Sequence, residues 1–386
     1  MILSLTYVGV LPKAEAVSPP PDGGYPGGNT AEGQSALLSL TSGNYNTAVG
    51  FLSLLSTTTN SFNTAIGAGA LLANTADQNT ATGAGALLSN TAGVNNTANG
   101  AFALFSNTSG FNNSALGGGA LQSNTIGFAN TATGVGALLT NTSGNDNTAD
   151  GLFALYFNTT GSENTAIGEN ALEQNTVGNT NTAIGEGALF QNATGSGNVA
   201  CGFLAGNQVS AANNVIAIGH DGADVSNTTW VGNIYGVSTQ SGTTAPVVVS
   251  DGGQLGTVAS SQRFKKDITT MEKASQSILS LRPVTFHYKN DANNTPHFGL
   301  IAEEVAKVNP ALVLPDKEGK PYTVRYDAVN AMLLNEFLKE HRRVQELEAN
   351  AARQENEIKA LTAGLQKVTA QLEVSKPPRQ TVSNNQ

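Results

Sequence analysis

Positive charge is missing from most of this sequence. No lysine or arginine lies between Lys13 and Arg263, and 18 of the 19 basic residues come from Arg263 onward. The net charge is −9, the wrong sign for neutralising phosphates, so no nucleic-acid partner is expected. Cysteine is nearly absent. Cys201 stands alone, which excludes an intrachain disulfide and a four-cysteine zinc site. Charged residues make up 12% of the chain, about half the usual share, which is not the composition of a disordered chain. No run of about 18 apolar residues exists, so no transmembrane helix is expected. The break in charge near Ser260 separates two regions built on different physics.

Residues 1–17 hold a short apolar run before Ala14-Glu15-Ala16, a small-x-small cleavage pattern without a basic leading segment, and read as a degenerate signal-like segment. The Pro- and Gly-rich stretch up to residue 28 reads as a linker. Residues 29–222 then repeat the pattern N-T-A-x-G-x-x-A-L, with anchoring glycines from Gly33 to Gly219 spaced by 17 residues and once by 16. A strict short period over twelve copies predicts a stacked array. Seventeen residues are too few for a helix pair. They suffice for a coil of two short strands and two turns, with the turns supplied by Asn and Gly. The expected fold is therefore mainly β, an N-terminal parallel β-solenoid with Ala and Leu facing inward and Asn side chains forming ladders along the axis. At strand spacing, twelve coils make a rod of roughly 55 Å. Each coil has few large apolar residues, so the core is expected to be shared by several chains, most simply three. Cys201 is expected to be a buried small residue.

Motifs such as Asn164-Thr165-Ala166-Ile167-Gly168 make this region similar to the head repeats of trimeric autotransporter adhesins, which implies a trimeric parallel β-roll. Two functions compete: a stiff spacer, or an adhesive surface for a host-surface or glycan ligand. The Thr rows (Thr47, Thr64, Thr80, Thr97) point weakly to ice, because they flank an Ala-Gly core motif. Calcium-binding repeats would need Asp at one recurring position, and Asp150 does not recur. Residues 223–259 leave the period and read as a β-rich neck, with Asp251-Gly252 as a hairpin turn.

The sharpest chemical signal runs from Ser260 to Ile268. Serine is a weak nucleophile until a neighbour takes its proton. Lysine can do so when burial or a nearby cation lowers its pKa from about 10.4. Ser260 and Lys265 are candidates for nucleophile and base, with Arg263 and Lys266 beside them; Ser261 and Lys266 have the same spacing. None of the four histidines sits in a triad-like setting. Three motifs follow in order: Ser260-Ser261-Gln262-Arg263-Phe264-Lys265-Lys266-Asp267-Ile268, Arg282-Pro283-Val284-Thr285-Phe286-His287-Tyr288, and Gly299-Leu300-Ile301-Ala302-Glu303-Glu304. Together with Tyr322–Tyr326 they resemble the endosialidase-type intramolecular chaperone domain at the C-terminus of phage tail spikes and fibres. The resemblance implies a homotrimer, an autocatalytic serine endopeptidase acting only on itself, and cleavage between Ala259 and Ser260. By position, Ser260 matches the family nucleophile and Lys265 the base. Ser261 stands where the family often has Asp. The alternative is an adhesin whose C-terminal trimerisation clamp is never cut. A glycan-degrading spike would need paired carboxylates, which the scattered acids Glu163, Glu169, Glu173 and Glu186 do not supply.

Residues 260–328 are assigned to an α+β chaperone domain, with His297 and the Glu303-Glu304 pair given structural roles. From 329 to 374 a helix carries Val344, Leu347, Ala351, Gln354, Ile358, Leu361, Leu365, Val368 and Leu372 in steps of three and four, the signature of a coiled coil. Residues 375–386 read as a disordered tail. No cofactor or metal pattern is present, and the expected location is extracellular, on a cell surface or a virion fibre.

Overall fold

The computed structural model describes residues 25–240 and 242–375. The signal-like segment, most of the linker and the tail from residue 376 lie outside the described residues. The chain forms two units, 1–242 and 243–386.

The first unit is a parallel solenoid of thirteen strands in sequence order, from Thr30–Glu32 to Thr229–Val231. Most strands are a Thr-Ala-x triplet, stacked on its equivalent in the next coil: Thr165 on Thr182, Ala166 on Ala183, Ile167 on Ile184. Ala166 and Ala183 are buried, while their neighbours on either side face outward. Twelve steps of about 4.8 Å give a sheet of about 58 Å. Each coil has one strand, where two were expected. The remainder is turn, because the Leu of each Ala-Leu pair takes a left-handed backbone: φ is 53° at Leu138 and 52° at Leu155. That conformation costs about 1–2 kcal/mol. Burying the Leu returns about 1.5–3 kcal/mol, and its N–H is satisfied by the next coil, as in Leu138 N to Ala154 O at 3.0 Å.

The anchoring glycine marks the closest approach of successive coils. At Gly168, φ is +127°, and an added Cβ would lie 2.6 Å from the carbonyl carbon of Gly185. Two asparagine ladders flank the apolar core. In one, Asn164 Nδ2 donates to Asn147 Oδ1 at 3.1 Å and to Gly178 O at 2.9 Å. In the other, Asn141 Nδ2 donates to Asn124 Oδ1 at 2.8 Å and Asn158 Nδ2 to Asn141 Oδ1 at 2.8 Å. These side chains are fully buried, and among the described residues no buried side-chain nitrogen or oxygen lacks a partner. The 16-residue coil drops one residue from its corner loop. There Asn74 Nδ2 reaches Ala76 O at 2.7 Å, where Asn90 reaches Gly93 O at 2.8 Å, and Asn90 still bonds Asn74 Oδ1 at 2.8 Å. The ladder, not the loop, holds the register.

This core closes within one chain. Leu71, Leu104, Leu138 and Leu172 are fully buried without a partner subunit. A core shared among three chains is therefore not what the rod uses: small alanines and paired asparagines fill its cross-section. Cys201 is exposed, against expectation, because the third strand position faces the same way as the first. The sheet also runs past residue 222. The last step, from Ile216 to Thr229, is 13 residues, and Trp230 takes the alanine position, stacked on His220 at 5.4 Å. The Asp224 carboxylate closes this end, accepting from the N–H groups of Ser210, Ala211 and Ala212 at 3.0, 2.9 and 2.7 Å. Those bonds hold it well below the usual carboxylate range.

In the second unit, Val248–Val249 pairs antiparallel with Leu255–Gly256 around the expected turn. A small core gathers Ile278, Val305, Leu312, Val324 and Met332. Helix α1 spans Ala302–Val308 and helix α2 spans Tyr326–Val374. At 49 residues, α2 is about 74 Å long. Among the described residues no helix is long and apolar enough to cross a membrane.

Candidate functional site

Ala259 and Ser260 lie outside regular structure, just before a 3-10 turn at Gln262–Phe264. The turn is closed by Phe264 N to Ser261 O at 3.1 Å and Lys265 N to Gln262 O at 3.0 Å. Lys265 leaves it extended, with φ −120° and ψ 145°. The Arg263 guanidinium lies over the Phe264 ring at 4.7 Å. Every residue from Ala259 to Ile268 is exposed. Among the described residues no hydrogen bond joins Ser260 to Lys265, or Ser261 to Lys266. A single copy thus presents the candidate nucleophile and base on one short segment without pairing them.

The other motif segments are brought together. Val284–Phe286 pairs antiparallel with His297–Gly299. Glu304, in the first turn of α1, receives two bonds from Arg282: Nε to Oε2 at 3.0 Å and Nη2 to Oε1 at 2.5 Å. The guanidinium holds the Glu304 carboxyl below its ordinary value, and the pairing raises Arg282. The Glu304 role expected from helix charge alone is therefore extended by a specific partner. Gly299 packs under Tyr326, whose hydroxyl accepts from Leu300 N at 3.0 Å and lies 2.8 Å from where a Cβ would sit. His297 packs with Phe286 and Tyr288, ring centres 5.7 and 4.9 Å away, as a structural histidine does.

Among the described residues there is one close serine–lysine contact, which sequence reasoning missed. Ser275 is fully buried in the 3-10 helix Ala274–Ser280. Its hydroxyl is bonded to the Glu336 carboxylate and accepts from Asn335 Nδ2 at 2.7 Å and Lys339 Nζ at 3.2 Å. Lys339 also donates to Glu336 at 2.6 Å, and this bond first, then that from Ser275, holds the carboxyl below its ordinary value. An ammonium paired to a carboxylate is a poor base, so this group is a polar clasp fastening α2 to the domain. The only trace of it in the sequence is the i, i+3 spacing of Glu336 and Lys339.

Along α2, only Met332 is buried. The apolar stripe is open to solvent in a single copy, from Val344 and Leu347 to Leu361, which is 73% exposed, and Leu372.

Residues 260–314 match the family model described as chaperone of endosialidase. The match begins at Ser260 and takes in both paired motif strands and the Arg282–Glu304 contact. A domain of the endosialidase-chaperone type thus follows the repeats. No curated protein and no solved structure matches the chain.

Proposed function

We propose that this chain is a fibre or spike protein displayed outside a cell or on a virion, in which the repeats form the shaft. The chaperone domain assembles three copies and then cuts itself away between Ala259 and Ser260. The observation that carries this reading is the family match, which starts at the residue that would become the new N-terminus. The open stripe of α2 supports assembly: a helix this long with one buried residue needs partners, and three is the number both resemblances imply.

The chemistry runs through the chain's own atoms. The Ser260 hydroxyl attacks the Ala259 carbonyl carbon while Lys265 Nζ takes its proton. The C–N bond breaks, the proton passes to the departing Ser260 nitrogen, and Ala259 is left as an ester on Ser260 Oγ. Water then hydrolyses the ester, freeing the Ala259 carboxylate. Lysine serves as base only when desolvated or crowded by cations. Packing of this exposed segment against neighbouring copies supplies that change, so cutting follows correct assembly.

Mass spectrometry of the expressed protein tests the reading. A fragment beginning at Ser260 is expected, and it should vanish in Ser260→Ala and in Lys265→Met. A chain that is assembled yet whole favours the second reading, a permanent clamp. That reading draws on the unpaired placement of Ser260 and Lys265.

A further inference from the structure

The outward face of the rod's sheet has two columns, the first and third positions of each strand. Over the last five strands these columns contain no charge: Thr165, Thr182, Val199, Ile216 and Thr229 in one, Ile167, Ile184, Cys201, Ile218 and Val231 in the other. Val199, Ile216, Ile184 and Ile218 are 40%, 39%, 43% and 47% exposed. Toward the N-terminus the strip ends at Asp150; the six strands from Thr47–Val49 to Thr131–Thr133 are also uncharged in these columns but filled mostly by Thr, Ser and Asn, and Glu32 lies beyond them. Four steps make it about 19 Å long.

We infer that this strip, centred on Cys201, is the surface by which copies of the rod pack on one another. The occupant follows from charge. From Glu15 to Gln262 the chain has acidic residues and no basic ones. A contact between two such rods that sets charged positions against each other pairs like charges, which is unfavourable, and no ion pair can offset it. Self-contact is therefore favoured on uncharged, apolar surface. This strip is uncharged, and its β-branched side chains suit a flat packed sheet face. It also lies at the end of the rod that leads, in sequence, to α2, whose open stripe calls for further copies. Ten partly exposed side chains fall short of the about 800 Å² per partner of a stable complex. The strip closes among copies already tethered, where effective concentration is high.

The inference rests on the three-copy reading above, and its test separates the two. The Ser260→Ala chain keeps the copies joined. Sedimentation equilibrium gives its mass, and a short bismaleimide reports whether Cys201 meets its equivalent. The expected result is a three-copy mass with Cys201 cross-linked in most assemblies. Ile184→Asp with Ile218→Asp should lower the cross-linked yield about tenfold, the population change for about 1.4 kcal/mol, without changing the mass. Asp is compatible with the fold there, since Asp150 fills the same column. A control with Cys201→Ser and Gln354→Cys moves the thiol to the α2 stripe. A three-copy mass with cross-linking at 354 but none at 201 overturns this surface and leaves the assembly reading standing. A single-copy mass with no cross-link at either position overturns both.

Discussion

At the scale of single residues, the chaperone domain is held by a few specific polar contacts around a small core. Arg282 and Glu304 come from two separated motifs and meet through paired hydrogen bonds. The Glu304 carboxyl has an ordinary value of 4.5 and a lowered one in the folded chain. The contact therefore stabilises above the ordinary value, and its contribution is lost as pH falls through the lowered folded value. Glu304→Gln should lower the melting temperature of this domain at pH 7, and the gap from wild type should narrow as the pH falls below the ordinary value of 4.5. A gap that persists in acid would show that Gln acts through packing instead. The clasp at Ser275 is different because its hydroxyl is fully buried. Ser275→Ala removes a buried hydroxyl bonded to the Glu336 carboxylate and to the Lys339 ammonium, while Asn335 and Lys339 keep the Glu272 carbonyl as a partner. Losing bonds to charged groups should cost roughly 1–3 kcal/mol, read as a shift in the denaturant midpoint of the second unit.

At the scale of elements, each coil is set by backbone reversals and amide ladders. Asn141→Ala removes the acceptor used by Asn158 and the donors to Asn124 and Gly144. It should destabilise the rod by roughly 2–5 kcal/mol. Asn141→Thr should cost clearly less, because Thr57 already fills the same ladder position and donates to Asn74 O at 3.1 Å. Equal losses in urea titrations would show that the ladder is not the source of stability. The period, the inward Ala and Leu, and the ladders were legible in the sequence because every copy repeats them. The single strand per coil was not, since a left-handed Leu leaves no mark on hydrophobic spacing. Cys201 was misplaced by reading it as a small residue rather than as the third position of a pleated triplet. The thirteenth strand was hidden by its shortened step and by Trp230 standing in for Ala. In the second unit, the α2 stripe and the order of motifs were plain. The Ser275 clasp was not, because its partners lie some 60 residues apart in sequence and form no pattern.

At the scale of the whole molecule, the closed core changes what the chaperone domain is needed for. Strand neighbours in the rod are only 13 to 17 residues apart in sequence, so coils can add one after another with nearest-neighbour contacts. Such a rod needs no second chain to complete its interior. On the proposed function, the work left to the C-terminal domain is to bring separate rods together in register, through helices whose stripe is open in a single copy. Leu361→Asp puts a charge into that stripe, at a site 73% exposed in the single copy, so it leaves the fold of one chain untouched and acts on assembly. The expected protein has a single-copy mass, stays whole with no fragment starting at Ser260, and keeps the thermal transition of the rod. Sedimentation, mass spectrometry and circular dichroism read the three properties separately. Loss of the rod's transition along with assembly would mean that its coils depend on neighbouring chains after all. Cutting in a single-copy protein would detach the chemistry at Ser260 from assembly.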